Sequence, residues 1–89
     1  MKYTVIWKPA AEADLARLWT DSPDKHAITD ASNRIDALLK KNPRALGESR
    51  FGNDRILVIA PLAVIFEVLE DDRLVRVLNV ARWGGLPES

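Results

Sequence analysis

Residues Tyr3 to Trp7 form a short run of β-branched and aromatic side chains, the composition of a strand. Pro9 then opens a helical stretch, because a proline in the first turn loses no hydrogen bond. Ala11, Leu15, Leu18 and Trp19 recur at helical spacing and predict one apolar stripe. Glu12 and Asp14 stand near the positive end of that helix, where acids are favoured. The segment TDSPDK interrupts the pattern, and Ser22 followed by Pro23 predicts an N-cap with proline at the first helical position. Ile28, Ala31, Ile35, Leu38 and Leu39 mark the buried face of a second, longer helix. Lys40 and Lys41 suit its negative end, and Asn42-Pro43 stops it. So short a connection predicts a helical hairpin. Its two stripes cannot fully bury each other and need a further apolar surface.

The second half supplies that surface. Residues 44 to 54 read as a polar loop with Gly47, Gly52 and the turn-like pair Asn53-Asp54. Three strand-like runs follow, Arg55–Ala60, Leu62–Leu69 and Arg73–Arg82, separated by Pro61 and by the turn at Glu70–Asp72. Strands joined this closely are antiparallel. The predicted architecture is therefore α+β, in the order β-α-α-β-β-β, as a single domain over residues 1–89. A two-helix hairpin packs on one face of a small, mainly antiparallel four-stranded sheet. The first strand joins an edge, and the opposite face stays partly open. Strict alternation in the last strand would put Val75, Val77, Asn79 and Ala81 on one face, with Arg76 and Arg82 together on the other. A bulge would change that pairing.

Composition narrows the chemistry. There is no cysteine among the 89 residues, so no thiolate, disulfide or cysteine-bound metal enters the account. The N-terminus lacks the apolar core of a signal peptide, and no apolar run approaches the length of a membrane span. These features fit a cytoplasmic protein with no membrane partner. Thirteen basic and thirteen acidic residues cancel, which argues against bulk attraction to nucleic acid. The charge is unevenly placed, however. Between Arg34 and Arg55 six Lys or Arg stand against three acids. Asp14, Asp21, Asp24 and Asp30 straddle a helix, a turn and a second helix, and caps explain two of them. No HExxH, EF-hand or phosphate-loop pattern is present, so no cofactor or metal is expected.

The segments YTVIWKPAAEADLARLW, LKKNPRALGESR and RILVIAPLAVIFEVLEDDRLVRVLNVARWG cover nearly the whole chain. In their order, and in an apolar final strand that ends on arginine, they resemble the RelE/ParE superfamily of bacterial type II toxins. The resemblance implies a toxin neutralised by a cognate antitoxin. Some members cleave mRNA on the ribosome without metal, and others poison DNA gyrase.

For RNA cleavage the resemblance implies a catalytic role for Arg82, at the end of the last strand. It implies the same for Arg50 and Arg55, in and after the basic loop. Cleavage through the neighbouring 2′-OH needs a base, positive charge for the phosphorane and an acid for the leaving oxygen. Arginine supplies only the charge, since its pKa lies above about 12. Lys40, Lys41, Arg44 and Arg76 are expected to bind nucleic-acid backbone, and Trp83 to stack on a base or cover the sheet end. The chain departs from the catalytic pattern in two places. Where RNA-cleaving relatives often carry G-x-Y-R-V, it reads PLAV, with Ala63 at the arginine position. The tail WGGLPES offers no Tyr or His. His26 opens the second helix and Tyr3 lies at the first strand, while Trp7 and Trp19 read as core residues. The leading expectation is an mRNA-cleaving toxin. The alternatives are a gyrase-directed toxin that works by binding, and a non-catalytic toxin-fold protein that only pairs with an antitoxin.

Overall fold

A computed structural model describes residues 2–49 and 52–83 of the chain. Strand β1 (Thr4–Trp7) leads into helix α1 (Pro9–Asp21) and then helix α2 (Lys25–Lys41). A single 3₁₀ turn (Pro43–Ala45) and a two-residue strand β2 (Glu48–Ser49) precede the meander. The meander is β3 (Asp54–Ile59), β4 (Leu62–Leu69) and β5 (Leu74–Arg82), with a second 3₁₀ turn (Glu70–Asp72) before β5. The sheet order is β1-β5-β4-β3-β2. All neighbours are antiparallel except β1 and β5, which run parallel. The β-α-α-β-β-β plan is thus realised, with β1 on an edge as expected. The loop expectation for residues 44–54 needs correction, because it contains both the 3₁₀ turn and the extra strand β2. Two residues carry no readable periodicity, and pairing with β3 rather than intrinsic propensity makes them a strand.

The hairpin starts differently from the sequence expectation. Ser22 is the C-cap of α1, while Asp24 is the N-cap of α2 and accepts from the Ala27 N–H at 3.1 Å. The Ser22 hydroxyl is occupied with the Asp24 N–H at 3.1 Å, which leaves the capping position to the aspartate.

The core lies between the hairpin and the inner sheet face. Ala11 from α1 and Ile28, Ala31, Ile35 and Leu39 from α2 meet Leu57, Leu62, Val64, Phe66, Val75, Val77 and Val80 from the sheet. Leu15, Leu18 and Trp7 pack at its margin. Trp7 also donates its indole N–H to Asp36 at 3.1 Å. Trp19 is not a core residue: it is 43% exposed.

A bulge decides the geometry of β5. Ile65 pairs with Asn79 and Phe66 with Val77, so Leu78 is the extra residue. Val75 and Val77 point inward before the bulge and Val80 points inward after it. Arg76 and Arg82 therefore lie on opposite faces, and the strict-alternation expectation is corrected. The bulge also leaves the Val80 N–H to a side chain: Asp14 of α1 accepts it at 3.2 Å.

Candidate functional site

Four separate parts of the chain collect cations at the end of the sheet where β5 begins. The close of α2 brings Lys41 and the following turn Arg44, while β3 brings Arg55 and the β4–β5 connection Arg73. With Tyr3, just ahead of β1, they line an open cleft of about 550 Å³. Arg55 donates from Nη1 to the Leu46 carbonyl at 3.2 Å, a contact that fixes it without cancelling its charge. Lys40 turns away and pairs with Asp36 at 2.9 Å, one helical turn back. An adjoining hollow of about 210 Å³ shares Arg44 and Arg55 and adds Glu70. Glu70 accepts from the Tyr3 hydroxyl at 3.1 and 3.2 Å and pairs with Arg44 Nε at 3.2 Å.

The other expected residues lie elsewhere. Arg82 stands opposite Leu62, whereas Arg55 stands opposite Phe66. Four residues along β4 separate those positions, roughly 13 Å, with two strand spacings to add across the sheet. The structure therefore does not bring Arg82 and Arg55 to one point. Trp83 is 52% exposed beside Arg82, and its N–H donates to the Pro61 carbonyl at 2.7 Å. Arg76 is on the outer face, where its Nε donates to Glu67 at 2.7 Å. The bulge puts Arg82 and Glu67 on opposite faces of the sheet. Arg50 lies outside the described residues.

The pKa of one group that the sequence did not single out for function is shifted by its neighbours. The Val80 N–H lowers the pKa of Asp14, and its Arg17 partner at 2.8 Å lowers it further. Among the described residues no group of three or more His, Cys, Asp or Glu is placed to hold a metal. His26 is exposed on α2, away from the cleft.

Two apolar surfaces complete the picture. A groove of about 460 Å³ runs between the helices, lined chiefly by Leu15, Ala16, Trp19 and Ile28. Lys25 sits 5.0 Å from the centre of the Trp19 ring, and the indole N–H donates to Thr29 at 3.2 Å. On the open sheet face, Ile6 and Val58 are exposed and Ile65 is half-buried. Ala63 lies in this face too, so the position expected to carry an arginine in RNA-cleaving relatives is apolar here. The Glu67–Arg76 pair crosses the same face.

Sequence reasoning reached Lys41, Arg44 and Arg55 but missed Arg73, Tyr3 and Glu70 as members of the cleft. Their meeting depends on β1 running parallel to β5, with Thr4 opposite Leu74. A signal existed in part, since EDDR forms a turn flanked by strands and ends in a cation.

The fold is similar to that of RelE- and ParE-type toxin–antitoxin structures. The chain superposes on the toxin–antitoxin complex RelBE2 from Mycobacterium tuberculosis with a TM-score of 0.77 at 16% identity, covering 92% of this chain and 99% of that one. It superposes on the chromosomal ParDE toxin–antitoxin system from P. aeruginosa with a TM-score of 0.72 at 18% identity, covering 92% and 97%. An archaeal RelE–RelB complex from Pyrococcus horikoshii gives 0.64 at 18% identity, covering 97% and 100%. No family model and no curated protein sequence matches the chain.

Proposed function

We propose that this chain is the toxin of a toxin–antitoxin pair and that it halts translation in the cytoplasm by metal-independent cleavage of mRNA. A cognate antitoxin neutralises it. The observation that carries this reading is the collection of Lys41, Arg44 and Arg55 at one open end of a RelE/ParE fold. Net charge is zero, so binding of nucleic acid rests on where the cations are gathered. Arg82 and Trp83 form a second, separate contact for the RNA at the far end of β5. The antitoxin lays an amphipathic segment in the apolar groove between α1 and α2, with its apolar groups against Leu15, Trp19 and Ile28.

A second reading has an observation of its own. One phosphorane needs its cations together, yet Arg55 and Arg82 sit apart and the open sheet face is largely apolar. That arrangement favours a toxin that acts by binding, as gyrase-directed members do, and needs no general acid. The deciding experiment follows amino-acid and thymidine incorporation side by side, just after induction of the chain without antitoxin. The mRNA reading expects amino-acid incorporation to fall first while DNA synthesis continues. An early fall in thymidine incorporation moves the target to gyrase. Under the mRNA reading Arg82→Ala loses growth arrest while keeping its fold, and full toxicity of that variant removes Arg82 from the mechanism.

A further inference from the structure

The basic cleft carries its own internal anion. Glu70 is the one acid among the described residues lining the cleft and its adjoining hollow, against four cations, Lys41, Arg44, Arg55 and Arg73. Its carboxylate takes up the Tyr3 hydroxyl at 3.1 and 3.2 Å and Arg44 Nε at 3.2 Å. A hydroxyl beside a guanidinium is also a donor set that phosphate oxygens accept from. Arg55 is held by a neutral carbonyl, and Arg73 lies with its guanidinium 5.8 Å from the centre of the Tyr3 ring. Among the described residues no acid pairs with Lys41, Arg55 or Arg73. Arg73 adopts a left-handed backbone, φ 49°, set by the turn that also presents Glu70. Cation and counter-ion therefore issue from one connection, three residues apart. Asp71 and Asp72, the other acids of that turn, are exposed and line neither hollow.

We propose that this cleft is a phosphate-binding site for nucleic-acid backbone, in which Glu70 is a resident counter-ion that an incoming phosphate displaces from Tyr3 and Arg44. Arg55, Arg73 and Lys41 then complete the neutralisation of the bound strand. The inference rests on the nucleic-acid reading above but requires neither cleavage nor a ribosomal target. Glu70 occupies the donors in the free protein and weakens binding, because a carboxylate beside the site repels the phosphate. Glu70→Gln keeps a carbonyl acceptor for Tyr3 and Arg44 while removing that repulsion. Arg73→Ala and Arg44→Gln each remove a cation from the site.

The test is fluorescence anisotropy on the full chain with a labelled single strand of about twelve nucleotides, within the range single-strand binders cover. RNA and DNA of one sequence are titrated at several salt concentrations, with thermal unfolding as the folding check for each variant. Glu70→Gln is expected to bind about fivefold tighter, as loss of a nearby like charge predicts. Arg73→Ala and Arg44→Gln are each expected to bind about tenfold weaker, with the log–log salt slope lower by about one. Arg34→Ala, an exposed change on α2 outside the cleft, is expected to bind like the wild type. The strand in which these shifts appear, RNA, DNA or both, identifies the source of the phosphate. Wild-type affinity in both Arg73→Ala and Arg44→Gln overturns the site, and Glu70→Gln binding no tighter overturns the displacement. If the shifts appear while translation continues in labelled cells, the phosphate site stands and the mRNA reading falls. If translation stops while both arginine variants bind normally, the reading stands and this site falls.

Discussion

Asp14 shows how one residue can join two elements. Its carboxylate receives the Val80 N–H released by the bulge and an Arg17 guanidinium, and both hold its pKa below the usual carboxylate value. A depressed pKa contributes stability that is fully present above the unfolded value, about 3.9, and is lost as pH falls through the folded value. Asp14→Ala is therefore expected to be less stable than wild type in urea at pH 5 to 7. The gap should close progressively below about pH 4, where wild type loses the same contribution. A gap of constant size down to pH 2 would mean that the carboxylate's charge plays no part. Arg76 gives a second case at this scale. Glu67 is 17% exposed and Arg76 38%, so their coupling in a double-mutant cycle should be only about 0.5–1 kcal/mol.

Among the elements, β2 depends most on its neighbours. Gly47 precedes it at φ 71°, and a Cβ there would overlap the Ile56 carbonyl oxygen and touch Phe66. Gly52 also has a positive φ, 55°, but a Cβ there meets only open space. Gly47→Ala should cost about 2 kcal/mol or more, combining the left-handed penalty with a backbone shift. Gly52→Ala should cost about 1 kcal/mol, from the left-handed conformation alone. Chemical denaturation of the two variants checks the difference, and equal losses would remove the close approach to Ile56 as the cause. The helices are fixed by burial instead. Ile35 is fully buried in α2 at the centre of the core, and Ile35→Ala should cost about 2–5 kcal/mol.

For the whole molecule, two regions of different character lie apart from each other. The cations at the start of β5 suit a polyanion, and the groove along the hairpin suits an amphipathic partner segment. They involve different residues, so variants can separate the functions. If the chain is the toxin proposed above, Trp19→Ala should weaken neutralisation by its antitoxin while leaving growth arrest intact, since Trp19 lies on the groove and not in the cleft. Loss of growth arrest itself in that variant, with its fold retained, would place Trp19 in the toxic mechanism. Co-expression of antitoxin at graded levels reads both quantities in one experiment.

The elements were largely legible in the sequence because their signals are local. Helical spacing from Ala11 to Trp19 and from Ile28 to Leu39, and the turn residues around the meander, report on neighbours a few positions away. Lys41, Arg44 and Arg55 could be named as candidates for the same reason, being near one another along the chain. Tertiary structure alone decided which charges meet. The parallel pairing of β1 with β5 carries Tyr3 to Glu70 and Arg73, across 67 positions in the case of Glu70. The Leu78 bulge moved Arg76 and Arg82 to opposite faces, and it also made the Val80 N–H available to Asp14. A single inserted residue changes side-chain direction without changing hydrophobic composition, so no pattern of residue types records it.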